Sequence, residues 1–522
     1  MLPRSAGILI PLFSIRTRAS LGRGEILDLA PMLDLALAMG HRAIQLLPLD
    51  ETAPGELSPY SAMSVMAIDP MYVSVRELDG VGRVVTGRAR DAVGSGRVVP
   101  RAIVRREKLA LLERSYRASR ARGGRSDSAE RDAFAASNAY WLDDYALFRA
   151  LKERFNWATW ETWPADLARR DDAVLAAARR ELSDQIEMYG YWQFIANRQW
   201  TAMREYAAAR GAFLGGDLAF SPCRDSAEVW ANQADFDLTR TVGAPPDSFN
   251  PKGQRWGLPL PNWRRMRDDG FKLLRARVRR ARSLYDLIRV DHVVGLYRTF
   301  NFGADPDAPG SFTPADENEQ RAQGEETMRT IIGEVGAPAV IAEDLGTVPP
   351  WVRESLTLMN VPGYKVMQWE RVDWGGAGET YLSPAAYPEL SLATTGTHDT
   401  ESLTAWWREQ PVAEREKLVR ALGIEAAVNP RRMLEESARD AILSALYAAP
   451  SRLVVIPIQD LFGWSARINR PGTVNDSNWT YRLPLTLERM RRSRAIQMRV
   501  AKLREIAIAS GRFSAEPSRG AD

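Results

Sequence analysis

Eight short apolar runs punctuate the chain, at residues 7–13, 43–49, 213–219, 285–291, 339–343, 364–369, 392–397 and 453–460. Each is short for a helix and too continuously apolar for a strand with one wet face, so each reads as a parallel strand covered on both sides. Between most of them the apolar positions fall at spacings of three and four, as at 26–39, 263–284, 325–335 and 430–447, which predicts helices. Alternation of strand and helix predicts an α/β fold with a parallel sheet. Eight strands are the number that closes such a sheet into a (β/α)8 barrel of the TIM type, whose functional groups gather at the C-terminal strand ends.

The rhythm is broken once, by a long stretch between the second and third strands with helical patterns at 104–120, 132–154, 171–181 and 189–209 and a Gly/Ser/Arg loop at 122–128. The expected organisation is therefore residues 1–48 for barrel strands 1 and 2, and 49–210 for a large, mainly helical insertion. Residues 211–509 hold the rest of the barrel with its strand ends and substrate loops, and 510–522 form a small, polar, flexible tail.

Composition narrows the class. Of 522 residues, 45% are hydrophobic and 26% charged, ordinary for a globular protein that buries a large core. The 70 basic and 66 acidic residues are interspersed, so a net charge of +4 points to no nucleic-acid partner. No apolar run is long enough to span a membrane, and the run at 7–13 carries Pro11 and is followed by Arg16 and Arg18, which suits a first strand better than a signal. Cys223 is the single cysteine, so an internal disulfide and a cysteine-type zinc site are excluded and a reducing, cytoplasmic setting is expected.

Charge sits where the strands end. The fourth run delivers Arg289, Asp291 and His292, the fifth delivers Glu343 and Asp344, and the seventh ends in His398 and Asp399. Only His41 stands apart among the three histidines. Any one of these clusters could be a structural ion pair. Three at neighbouring strand ends can do more: two carboxyls can split a glycosidic bond with retention, one attacking and one protonating, while a third binds sugar hydroxyls. Arg289, two residues before Asp291 on the same side of the strand, would hold that carboxylate ionised and aimed. Glu343, on apolar walls and near Asp344 or Asp399, would have its pKa raised toward an acid's range. Three histidines leave little capacity for a metal, and no metal or other cofactor is expected.

The motifs RVDHVVGL (289–296), AEDLG (342–346) and TTGTHD (394–399) together resemble the amylomaltase, or disproportionating-enzyme, family of 4-α-glucanotransferases, relatives of the α-amylases. The resemblance covers nearly the whole chain, through SPYSAMSVMAIDP (58–70), WLDDYALF (141–148), GDLAFSPCRDSAEVW (216–230), PPDSFNPKGQRWGLP (245–259), and RINRPGT with NW (467–479). It implies an enzyme that moves segments of α-1,4-glucan between maltooligosaccharide, starch or glycogen chains with some hydrolysis. Asp291 would be the nucleophile, Glu343 the acid and base, and Asp399 the group that binds and distorts the donor sugar. His292 and His398 would bind sugar hydroxyls and Arg289 would orient Asp291. Asp217, Asp247 and Trp256 would line the groove, and Tyr60 would offer an aromatic platform. The chain departs from the family's usual Tyr at Ser248, Asn at Leu258 and Arg at Val294, positions that bear on donor and acceptor binding; more hydrolysis than in typical members is expected.

Overall fold

The computed structural model describes residues 3–93, 101–121, 128–246, 252–305, 308–373, 375–376, 378–473 and 475–514. The eight apolar runs form the eight strands of one parallel sheet: β1 (Ser5–Leu9), β2 (Ala43–Gln45), β3 (Phe213–Leu218), β4 (Leu287–Val290), β5 (Val340–Ala342), β6 (Gly363–Val366), β7 (Ser391–Thr394) and β8 (Leu453–Pro457). Their order is β5-β4-β3-β2-β1-β8-β7-β6, and the Ala342 N–H donates to the Pro362 carbonyl at 2.9 Å across the remaining seam, so the sheet is a near-closed (β/α)8 barrel. Parallel strands need long crossovers, and the chain supplies them with helices such as Leu29–Ala38, Lys272–Leu284, Glu317–Val335 and Glu436–Ala448, whose apolar faces cover the barrel wall.

The helix expected at 263–284 is broken into Trp263–Asp268 and Lys272–Leu284. Gly270 and Phe271 both take positive φ, at 74° and 58°, which ends one helix and redirects the next.

The insertion after β2 contains the long helices Arg101–Ala121, Ser128–Arg154 and Ser183–Ala208, but also an unexpected antiparallel pair, Asp50–Thr52 with Ala62–Ile68. Buried charge ties the insertion together and, through Lys108 and Glu25, to the barrel. Arg149 pairs with Glu51 at 3.0 Å with neither side chain exposed, and Tyr145 donates to the same carboxylate; Lys108 pairs with Glu25 at 2.7 Å. The segment 141–148, through Tyr145, thus helps hold the insertion's own strand and helices together.

A second sheet stands beside the barrel mouth, in the order Ser311–Thr313, Thr299–Phe302, Phe236–Ala244, Gln254–Pro261, all antiparallel. The later half of the expected substrate loop, 245–259, therefore belongs to a strand. The expected flexible tail is not free at its start: Arg512 is buried and donates to the carbonyls of Ser5, Tyr447, Ala449 and Arg452. Among the described residues no helix is long and apolar enough to cross a membrane.

Candidate active site

Strand register builds the centre. Asp217 on β3 lies level with Arg289 on β4, and Arg289 lies level with Ile341 on β5, so Asp291 and Glu343 follow side by side at the strand ends. Gly215 and Gly216 let the strands approach: a Cβ at 215 would sit 2.5 Å from Gln45 Oε1, and one at 216 would fall 2.1 Å from the Tyr285 ring.

One guanidinium organises the acids. Arg289 Nη1 donates to both Asp217 oxygens at 2.7 Å and to Asp291 Oδ1 at 2.9 Å, and Nη2 lies 4.0 Å from Glu343 Oε2. Burial alone would lower the pKa of Arg289, but Asp217, Tyr60 and Asp291 overcome it and hold the charge firmly in place. Asp217 was expected to line the groove; its side chain is 0% exposed and lies against Arg289.

Glu343 receives the main-chain N–H of His292 at 2.7 Å. Burial dominates and pushes its pKa up to about 8, Asp291 adds to the rise, and Arg289 with the His292 amide opposes it. Asp344 adds to the rise, as expected, but as the last of these causes. The reason is direction: Asp344 turns to the outer layer, taking Arg353 Nε at 3.0 Å and the Tyr364 N–H at 2.7 Å.

His292 adopts φ 46°, a left-handed conformation. Its ring meets Trp256 edge-on at 4.9 Å and Phe220 edge-on at 5.5 Å, and burial lowers its pKa to about 4, so it is neutral at pH 7. Trp256 is 36% exposed and roofs this side of the mouth.

The third carboxyl, Asp399, has Asn469 Nδ2 at 2.6 Å and His398 Nε2 at 3.2 Å, while Arg467 grips its carbonyl and Glu401. Burial would raise the pKa of Asp399, yet His398 and Asn469 outweigh it and bring the value to about 2. His398 Nε2 also lies 3.2 Å from the Tyr60 hydroxyl, which donates to Asp217 Oδ2 at 2.7 Å. A continuous polar chain therefore runs from Asp399 through His398, Tyr60, Asp217 and Arg289 to Asp291. Tyr60, expected as a platform for sugar, stacks one face on His398 at 5.5 Å.

Nine of the ten residues singled out in the sequence thus meet at the barrel mouth; Asp247 lies outside the described residues, as does Ser248. Of the other departures, Leu258 is half-buried in its strand and Val294 is buried in the short helix Val294–Tyr297. Sequence reasoning passed over Asn469, Arg467, Phe220 and Trp479, whose ring packs on both Tyr60 and His398 at 5.8 Å. Three of these sit in the 467–479 motif, which was the available signal.

The 4-alpha-glucanotransferase family model matches residues 10–486. The 4-alpha-glucanotransferase of Thermus thermophilus is 33% identical over 498 residues, covering 92% of this chain and 95% of that one. The enzyme of the same name from Chlamydia muridarum is 31% identical over 500 residues, covering 93% and 92%. Among solved structures, the amylomaltase from Streptococcus agalactiae in complex with acarbose superposes with a TM-score of 0.82 at 26% identity, covering 98% of this chain and 100% of that one. Likeness of this extent in sequence, over a barrel that carries its carboxyls at the strand ends, establishes that the chain belongs to the 4-alpha-glucanotransferase family.

Proposed function

We propose that the protein is a retaining 4-alpha-glucanotransferase that moves α-1,4-glucan segments between chains through a glycosyl-enzyme intermediate on Asp291. The observation that carries the reading is the contrast between two carboxyls on one guanidinium. Asp291 takes a hydrogen bond from Arg289 at 2.9 Å, whereas Glu343 stands 4.0 Å off and is pushed up to about 8. Environments that separate two carboxyls in this way assign base-like and acid-like roles.

In the first step an Asp291 oxygen attacks the anomeric carbon while Glu343 gives its proton to the glycosidic oxygen. The bond from that carbon to the leaving chain breaks, and the chain departs as a neutral 4-hydroxyl. In the second step Glu343, now ionised, takes the proton of an acceptor's 4-hydroxyl, whose oxygen displaces Asp291. Two inversions give retention. Asp399, held ionised, is suited to accept hydrogen bonds from donor hydroxyls, and neutral His292 can both give and accept one.

Maltotriose tests this. Longer maltooligosaccharides with glucose are the expected products; glucose and maltose alone would mean that water, not sugar, resolves the intermediate. With Glu343→Gln and a glycosyl fluoride donor, which leaves without acid, a covalent adduct should accumulate, and peptide mapping should find it on Asp291. Label on Asp399 would give that residue the nucleophile's role instead.

A further inference from the structure

A cavity of about 430 Å³ opens away from the catalytic carboxyls, between the turn at 52–57, helix Arg101–Ala121 and the segment 479–482. Its apolar side is formed by Phe13, Met71, Val104, Leu109 and the edge of Trp479. Its polar side is almost wholly cationic. Arg23, Arg101, Arg105 and Arg482 all line it, against two carboxylates, Glu56 and Asp69.

Carboxylates neutralise these guanidinium groups only in part: Asp69 stands by Arg23, and Glu51, behind the wall, lies 4.0 Å from Arg105 Nη2. Glu56 accepts the N–H groups of Leu57 and Ser58 in its own turn, at 2.8 and 3.0 Å. Asp69 accepts the Met71 N–H at 2.9 Å and stands 3.9 Å from Arg23. Among the described residues neither Arg101 nor Arg482 has a carboxylate within ion-pairing distance: Arg101 spends its donors on the carbonyls of Leu57 and Trp479, and Arg482 forms no hydrogen bond, its Nε being buried without a partner. Arg23 Nε and Arg105 Nη2 are likewise buried without hydrogen-bond acceptors. Burial, and then Arg23, lowers Arg101 to about 10; burial, with Arg16 and Arg23 also acting downward against Asp28, lowers Arg482 to about 10.

Like charges held together with unmet donors are costly unless an anion completes them. Guanidinium forks match phosphate oxygens in geometry as well as charge. The apolar side would receive an uncharged body, and the volume admits one of hexose or nucleoside size. We propose that this cavity is a binding site for a small phosphomonoester, its phosphate held by Arg23, Arg101 and Arg482 and its body laid against Phe13, Leu109 and Trp479. The proposal stands apart from the catalytic reading, because none of these three arginines touches the carboxyl cluster.

The full chain would be titrated calorimetrically at low salt with glucose 6-phosphate, AMP and inorganic phosphate, with glucose and maltotriose as neutral controls. At least one ester should bind with a dissociation constant below about 1 mM, equivalent to roughly 4 kcal/mol. Whether the hexose or the nucleoside ester binds tighter identifies the body. Arg482→Gln should weaken that binding by at least about tenfold, the scale of one charge-assisted contact. Arg482→Glu, which supplies the missing negative charge, should abolish binding and raise the melting temperature, and disproportionation of maltotriose should persist in both variants. The proposal fails if neither ester binds or if both Arg482 variants bind like the parent. It also fails if inorganic phosphate binds as tightly as the esters, or if glucose or maltotriose occupies the site and is lost in the same variants.

Discussion

The main-chain N–H of His292 donates to the Glu343 carboxyl at 2.7 Å, from a residue held at a left-handed φ of 46°. That bond favours the ionised acid, so it restrains a pKa that burial has already carried up to about 8. A general acid must be protonated to act, so kcat/KM for maltotriose should fall as pH rises through about 8. Glu343→Gln, assayed with a donor whose leaving group needs no acid, should lack this alkaline fall. An alkaline limb that survives in the variant would belong to another group.

The same shift bears on stability. In the folded protein Glu343 keeps its proton up to about 8, against an ordinary value of 4.5, so unfolding releases a proton between those values and stability drops as pH rises through the window. Glu343→Gln has no such release. It should be more stable than the parent at pH 8 by on the order of 4 kcal/mol and about equal at pH 4. Urea denaturation at both pH values checks this; equal stability at pH 8 would mean that burial does not raise the carboxyl.

Asp217→Asn should show what a buried counter-ion does for Arg289. Two of the three hydrogen bonds that Arg289 gives to carboxylates would be lost or weakened, and Tyr60 would lose its charged acceptor. Breaking a buried pair costs about 3–5 kcal/mol, and misplacing Asp291 should reduce kcat by about 10²-fold with a smaller change in KM. A variant that unfolds earlier but keeps its kcat would reduce Asp217 to a scaffold residue.

Gly295 lies under the His292 ring. A Cβ there would stand 2.6 Å from Phe220 Cε2 and 2.7 Å from His292 Cδ2, so Gly295→Ala must push the imidazole toward Trp256. Activity should fall by about tenfold or more, because a displacement of this order matters at a reacting centre. Tryptophan fluorescence and activity measured together would test it, and parent-like activity would show that His292 tolerates movement.

Asn469→Ala removes one of the groups that hold Asp399 at about 2. Its loss should raise that pKa, so donor binding should weaken first on the acid side and the low-pH limb of kcat/KM should move upward. Kinetics from pH 4 to pH 7 would reveal it; an unmoved limb would leave Asn469 with only a structural part.

The barrel was legible because buried parallel strands cannot hide their composition, and four of the eight apolar runs carry Asp217, Asp291, Glu343 or Asp399 at or near their C-terminal ends. The arm formed by Phe236–Ala244 and Gln254–Pro261 was not, since its faces are half wet and its polar residues break the pattern a core strand would show. The helix break at Gly270 was signalled by Asp268-Asp269-Gly270, but the Leu and Arg periodicity on either side ran through it. Asn469 lay inside the 467–479 motif but carried no charge, so its part at the site is seen only in its bond to Asp399. Tyr60 was recognised as a residue of the site, but its bond to Asp217 spans 157 positions, a separation no local pattern records.

Arg512, finally, fixes how the molecule can be held. It seals the starting ends of β1 and β8 through the carbonyls of Ser5 and Arg452, at the pole opposite the carboxyls. A resin linkage or fused partner attached beyond Ser514 would therefore leave the barrel mouth facing bulk solution. Cleavage ahead of Arg512 would instead unfasten two strands, and an immobilised preparation should lose working lifetime before it loses initial rate.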